Sequence, residues 1–334
     1  MSNEEYNHIK KIINEVLDER RAKNNFILEE IWKEYMEYSY FQKEESTCVN
    51  DEIIFNRHIA PYFSGQAILD IQPKDIISWH YNMNKHLSYQ TIVNNHKTFS
   101  KLYSWVDRVY NVSWNPLAKV GVPRKTEKKD ELNIWSEHEF FHFFSVIDNL
   151  EHQIIFLLFY FCGFRRGELL ALKWNDFTNN NLRIDESIAN INGKQVLKAP
   201  KTFNSYRVVE IDNVTLIYLR EYYNQSKKRT NYHDDNYIFG RITKPLAFET
   251  LRKLKLKYIE KAKVKNITIH GFRHSHVSLL INNHMPVIGI AHRIGDTVDE
   301  VLTTYAHLLP QTSLEISLFL NEITKKYRIS SDAS

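Results

Sequence analysis

Cysteine is scarce in this chain. Cys48 and Cys162 are the only two among 334 residues, and their separation fits neither a disulfide framework nor a zinc-ligand spacing. A reducing, cytoplasmic setting is the expectation. Long apolar runs are also missing. The longest, Ile154–Phe164, is too short to span a bilayer and reads as a buried helix. The leading segment is charged and polar, without the apolar stretch of a secretion signal. There is no Gly-rich phosphate loop, paired-carboxylate metal site, Cys/His cage, internal repeat, low-complexity tract or Rossmann-like strand–helix alternation. What remains is the composition of an ordinary soluble globular protein, 43 % hydrophobic and 25 % charged, long enough for two cores.

The charge is small in sum but uneven. Net charge is +4, yet residues 1–50 hold 7 Lys/Arg against 11 Asp/Glu, and the other 284 residues hold 37 against 29. A basic body behind an acidic leading segment suits a polyanionic partner, a balance that many soluble proteins share. The richness in Lys, Asn and Ile hints at an AT-rich bacterial or phage genome.

Apolar spacing divides the chain. In residues 1–25, Ile9, Ile12, Ile13, Val16 and Leu17 recur at helical spacing, predicting a charged helix that either packs on the body or serves as an arm. Residues 26–121 read as helical throughout. Ile27, Leu28, Ile31, Trp32 and Tyr35 share one face; a second helix over Asp51–Ile59 ends at Pro61; Pro73-Lys-Asp opens a third; Ser88 caps a fourth. In the fourth, Ile92, Phe99, Tyr103 and Val106 form the apolar stripe, while Asn94, Lys97, Thr98 and Lys101 fall at i, i+3, i+4 and i+7 on another face. That donor-rich face suits a DNA groove, with lysines on phosphates, and equally describes a solvated helix surface.

Residues 122–134 carry a run of charge without periodicity, a linker signature. Residues 135–310 follow with helices at 136–148 and 151–163. Short strands come next at Leu182–Ile184, Ser187–Ile191, Gln195–Leu197 and Tyr206–Ile211, with Asn192-Gly193 as a hairpin turn. Helices resume from Val214. In residues 311–334, Leu314, Ile316, Phe319, Leu320 and Ile323 mark a last amphipathic helix. The fold class is therefore mostly α with a small antiparallel β-sheet (α+β).

Five residues of the second half carry the chemistry. They are Arg165 in Gly-Phe-Arg-Arg-Gly-Glu, Lys201 in Ala-Pro-Lys-Thr, His270 and Arg273 in His-Gly-Phe-Arg-His, and Tyr305 in Thr-Tyr-Ala-His. Breaking a phosphodiester without metal requires neutralisation of the developing charge, a nucleophile, and a proton for the leaving oxygen. Guanidinium groups stay charged and grip phosphate oxygens in pairs. A preorganised donor of this kind is worth about 3–4 kcal/mol. A tyrosine can attack once cationic neighbours or a base act on its phenol. His270, His274 and His276 invite a metal reading, but no second ligand cluster accompanies them, and His274 and His276 read as helix residues near the site. No metal and no cofactor is expected.

These motifs resemble the tyrosine recombinase (phage integrase) family, whose signature is an Arg, a Lys, a His-x-x-Arg and a late nucleophilic Tyr. The resemblance is strong over residues 155–310 and faint before about 130. It implies a helical core-binding domain that clamps DNA, followed by a catalytic domain. Arg165 and Arg273 match the paired arginines, and Lys201 matches the hairpin lysine that protonates the departing 5′-oxygen. His270 matches the histidine that assists the tyrosine or the phosphate. Tyr305 matches the nucleophile that forms a 3′-phosphotyrosyl link, so strands are exchanged without ATP. Double-stranded DNA is the implied partner, with a tetramer on DNA, a monomer in solution, no membrane, and accessory DNA-bending or directionality proteins. The C-terminal helix would dock on a neighbouring protomer.

One position departs from the pattern. Where the family usually has Leu-Gly-His, with Trp as a substitute, this chain has Ile294-Gly-Asp296, nine residues before Tyr305. A carboxylate near the phosphate is adverse: two unit charges 4 Å apart repel by about 4 kcal/mol at an effective dielectric of about 20. Asp296 is expected to turn away, to be protonated, or to bond a positive side chain such as His270, with His292 as a remote substitute. The expected activity is site-specific DNA cleavage and rejoining. The alternatives are topoisomerase-like relaxation by one protomer, or a DNA-binding accessory protein on the same fold weakened by Asp296.

Overall fold

The computed structural model describes residues 26–124, 132–200, 203–308 and 313–326. The helix expected in residues 1–25, most of the charged linker and Lys201 lie outside them. The chain divides near residue 130 into two compact units. Among the described residues no helix is long and apolar enough to cross a membrane.

The first unit is helical: α1 (Leu28–Gln42), α2 (Glu45–Ile54), α3 (Pro73–Asn84), α4 (Tyr89–Tyr110) and α5 (Pro116–Val120). Ser88 caps α4 by accepting from the Thr91 amide. Aromatic residues fill the core, with Trp32 stacked on Phe55 at 4.1 Å and Phe63 set against Trp79 and Phe99. Pro61 does not end the second helix as its sequence predicts. A π turn over Phe55–Ile59 lets the Ala60 amide bond the Phe55 carbonyl, and helix continues over Ala60–Phe63 with Pro61 in its first turn. A helix tolerates Pro there because no amide donor is needed.

The second unit opens with α6 (Glu137–Ser145), capped by a reciprocal Ser136–Glu139 pair. Next comes α7 (Leu150–Leu157), which continues as a π turn over Leu158–Cys162. The short α8 (Arg166–Ala171) leads into β1 (Phe177–Thr178) and β2 (Asn181–Ile184). β3 (Ser187–Ile191) and β4 (Lys194–Lys198) form the hairpin about Asn192-Gly193, and β5 (Arg207–Glu210) follows. The sheet order is β1-β2-β5, antiparallel, with Ile184 opposite Arg207. α9 (Asn213–Lys227) is capped by Asp212. The two-residue strands β6 (Gly240–Arg241) and β7 (Lys244–Pro245), which short-range pattern does not reveal, precede α10 (Phe248–Ala262). Then come α11 (Ile269–Asn282), α12 (Val287–Ile294), α13 (Val298–Tyr305) and α14 (Ser313–Lys326).

The run Ile154–Phe164 is the spine of this unit. Phe156, Leu157 and Phe159 are fully enclosed among Phe140, Phe143, Tyr258 and Phe272 from α6, α10 and α11. Burying such a side chain stabilises by about 1.5–3 kcal/mol, so α11 is firmly seated. A smaller cluster of Val277, Ile281, Ile290, Ile294, Val301 and Tyr305 packs α12 and α13 onto α11. This second cluster brings the last motif to the middle ones.

Candidate active site

Four chain segments converge within the second unit. Arg165 precedes the first turn of α8, and Glu168, one turn on, accepts from its amide at 2.9 Å and from its Nη1 at 2.7 Å. The same carboxylate receives Arg207 from the start of β5, Nη2 at 2.8 Å and Nη1 at 3.2 Å. Burial alone would raise the Glu168 pKa, but Arg207 and then Arg165 hold it down at about 2. Glu168 thus buttresses Arg165, as its place in the motif suggests. Arg207 also donates to the carbonyls of Ser205 and Arg293, at 3.1 and 2.8 Å.

Arg273 lies on the second turn of α11 and is buried. Its Nη1 donates to the carbonyls of Gly163 at 2.9 Å and Ile294 at 2.7 Å. Both carbonyls are free because each ends a helical segment, and each segment ends through a left-handed glycine. Gly163 has φ 65°, and a Cβ there would sit 2.6 Å from the His276 ring. Gly295 has φ 68° and a Cβ would come within 2.8 Å of Arg207 Nη1. The Gly295 and Asp296 amides close the end of α12 on the carbonyls of His292 and Ala291.

Asp296 therefore projects from a fixed helix end. Its Oδ2 accepts from Arg273 Nη2 at 2.6 Å, and its Oδ1 accepts from Arg165 Nη2, which also donates to the Gly295 carbonyl at 2.9 Å. The sequence expectation named His270 as a partner; the structure instead gives Asp296 two arginines. A guanidinium pair outcompetes a neutral imidazole for a carboxylate. His292 lies exposed in the last turn of α12.

Tyr305 ends α13 with its side chain buried and its hydroxyl 2.5 Å from His274 Nδ1. Burial raises the phenol pKa; Arg273 opposes the rise and Asp296 adds to it. Burial, followed by Arg273, lowers the His274 pKa, so the imidazole is neutral near pH 7. His270, one turn before, stands edge-to-face with His274 at 4.5 Å. His270 is exposed at the surface, yet local desolvation, followed by His274 and the two arginines, lowers its pKa to about 4. His276 bonds the Tyr160 carbonyl at 2.8 Å in the interior, where burial pushes its pKa to about 3. The three histidines thus point to different tasks.

The structure brings Arg165, His270, Arg273, Asp296 and Tyr305 into one site. Lys201 lies outside the described residues, in the chain between β4 and β5. Two further residues were not singled out as site members by sequence reasoning. Arg207 closes the Pro-Lys-Thr-x-x-Ser-x-Arg string and was legible only as context. His274 follows Arg273 directly, and nothing local tells which histidine faces the tyrosine.

In the first unit the expected DNA face is corrected in part. Asn94 and Lys97 are exposed. Thr98 is buried and donates to Asp51 Oδ1 at 3.1 Å, and Lys101 bonds the same carboxylate at 3.0 Å. A Thr hydroxyl used internally is unavailable to a groove. Beside it, Lys43, Lys97, Ser100, Lys101 and Arg108 line an open basic cleft of about 510 Å³. Lys101, Ser104 and Arg108 continue the helical spacing from Lys97, so this extension was readable.

Residues 136–312 match the phage integrase family, and residues 27–84 match the N-terminal SAM-like domain of phage integrases. The ICEBs1 integrase of Bacillus subtilis (strain 168) is 31 % identical over 288 residues, which is 82 % of this chain and 77 % of that protein. Transposase A from transposon Tn554 of Staphylococcus aureus is 27 % identical, over 48 % of this chain and 44 % of its own length. Among solved structures, the Tn1549 transposon integrase in complex with a circular intermediate DNA superposes with a TM-score of 0.72 at 17 % identity, covering 89 % of this chain and 99 % of that one. A lambda integrase tetramer bound to a Holliday junction gives 0.61 at 14 % identity, over 84 % and 81 %. These two likenesses establish the fold.

Proposed function

The chain belongs to the phage integrase family, and from that premise we propose that it is a site-specific DNA recombinase that cuts and rejoins duplex DNA through Tyr305. The observation that carries this reading is the convergence of Arg165 and Arg273 on one acceptor position beside a tyrosine whose hydroxyl is already bonded to a neutral histidine.

In the proposed reaction, Arg165 and Arg273 bind the non-bridging oxygens of the scissile phosphate. Glu168 and Arg207 hold the first guanidinium in place, and the Gly163 and Ile294 carbonyls hold the second. Such fixed donors stabilise the charge that develops in the transition state without reorganising. Because burial raises the Tyr305 pKa, the phenol keeps its proton at rest. It loses that proton as it attacks: the Tyr305 oxygen bonds phosphorus, the proton passes to His274 Nδ1, and the bond to the 5′-oxygen breaks. Lys201, by its match to the family's lysine, supplies the proton to that oxygen. Reversal with another strand's 5′-hydroxyl rejoins DNA and returns the tyrosine. His270 stands beside His274 and assists at the phosphate.

The first unit then acts as a DNA clamp, with Lys43, Lys97, Lys101 and Arg108 on phosphates and Asn94 at the rim. Thr98 is left out of that set. The Leu318, Phe319, Leu320 and Ile323 side chains of α14 are exposed, which suits docking on a neighbouring copy in a DNA-bound tetramer. The division into an arm (1–25), a clamp (26–121), a linker (122–134), a catalytic domain (135–310) and a C-terminal helix and tail (311–334) belongs to the same proposal.

The test is a nicked suicide site, drawn from sequences flanking the gene, incubated with the full chain in EDTA and resolved on a denaturing gel. A covalent protein–DNA adduct is expected, and Tyr305→Phe is expected to abolish it. His274→Asn should slow adduct formation by about 10²–10⁴ and remove the acidic limb that its titration imposes on the rate. Specific binding without any adduct would overturn the reading in favour of an accessory DNA-binding role.

A further inference from the structure

We propose that Asp296 is a built-in occupant of the phosphate seat, an anion that the incoming phosphodiester must displace. The inference rests on the reading of Arg165 and Arg273 as phosphate ligands. Of the guanidinium nitrogens, Arg273 Nη1 is held by two backbone carbonyls and Arg165 Nη1 by Glu168. The Nη2 groups meet the two oxygens of one carboxylate, Arg165 Nη2 also donating to the Gly295 carbonyl. A carboxylate and a phosphate offer acceptor oxygens with similar spacing, which is why guanidinium pairs take both.

Exposure shows that Arg273 is the partner that stays. It is 2 % exposed, against 22 % for Asp296 and 34 % for Arg165. No anion from solution reaches Arg273 Nη2 while Asp296 covers it. Arg273 is buried on α11, whereas Asp296 is partly exposed. Its backbone is fixed on one side by the end of α12 and on the other by the Thr297 cap of α13. Withdrawal therefore takes place by rotation of the side chain alone. A phosphate entering before that rotation would meet a like charge, whereas one entering after it finds two preset donors. The departure from the family's usual histidine thus adds a competitive element to a site that is otherwise complete.

Inorganic phosphate titrated into the full chain by calorimetry tests this without DNA, a target sequence or strand cleavage. Failure here leaves the adduct experiment untouched, and the reverse also holds. Asp296→Asn is expected to bind phosphate at least tenfold more tightly than the parent, and Arg165→Lys in that background should erase the gain. Asp299→Asn removes one exposed charge from the first turn of α13 and should change affinity less than twofold. Asp296→Ala is the second variant, with melting curves verifying that each is folded. Unchanged or weaker phosphate binding by the folded Asp296 variants would overturn the proposal and make Asp296 a positioning residue. An equal gain from Asp299→Asn would overturn it in favour of a general field. Unfolding of both Asp296 variants would also overturn it, showing a counter-ion the fold needs in place.

Discussion

Each unit sets one carboxylate between two cations, and the two arrangements are inverted. In the first unit Asp51 is buried against Thr98, while its lysine partners reach from the surface; Lys101 is 45 % exposed. In the second, Arg273 is the buried member, while Asp296 and Arg165 both meet water, at 22 and 34 % exposure. Burial decides which member of an ion pair is anchored, because the desolvated partner has no alternative bonds while the wet one exchanges with solvent. Asp51 is therefore an anchor that holds lysines in a basic cleft. Asp296 is a guest on the anchored Arg273. The same pair chemistry serves support in one place and availability in the other.

The strongest challenge to this contrast is Glu168, which is as deeply buried as Asp51 but belongs to the second unit. Glu168→Ala leaves Arg207 charged in the interior and should cost about 3–5 kcal/mol in urea unfolding. Smaller loss would show that the second unit lacks the rigid frame assigned to it. Acid reads the first unit separately. Burial and then His96 hold His80 at about 4, below its ordinary 6.5, and the two rings bond at 3.1 Å. The neutral form belongs to the fold, so its stabilisation is complete above pH 6.5 and is lost as pH falls toward 4. The slope for one such group is at most about 1.4 kcal/mol per pH unit. Melting of the first unit should follow that window, and His80→Gln should flatten it.

Asp51→Asn should then cost about 1–3 kcal/mol, since Thr98 and the lysines lose their charged acceptor in a dry setting. Asp296→Asn should cost about 1 kcal/mol or less, because it is partly wet and the amide still accepts. Equal losses from the two would erase the distinction between anchor and guest. The smallest effect is expected from Lys97→Ala, which should weaken DNA binding across sequences alike and lower the salt slope by about 1.

What could be read from the sequence follows the range of the forces involved. Ser88 caps its helix through a contact three residues away, and Asn192-Gly193 turns a hairpin between neighbouring strands; such signals are local and were legible. Arg165, Arg273 and Tyr305 were recognisable because each sits in its own short motif. Their partners were not. Thr98 has the right helical phase for a polar face, but Asp51, 47 residues earlier, draws it inward. A positive partner was one of three expectations for Asp296, with His270 as the example, but its two arginines arrive from 131 and 23 residues away. The choice of His274 over His270 for the tyrosine depends on how α13 packs on α11, and no spacing rule contains that packing.

The order of these pieces along the chain also sets a timetable. Arg165 is made 140 residues before Tyr305, which at ordinary rates of synthesis is roughly 7–28 s. Throughout that interval the emerging polypeptide carries the proposed phosphate ligand and lacks the proposed nucleophile. Asp296 follows, and the tyrosine comes nine residues after it. On the proposed reading, a chain cut short between Arg273 and this last stretch would carry both phosphate ligands and lack the means to break a strand.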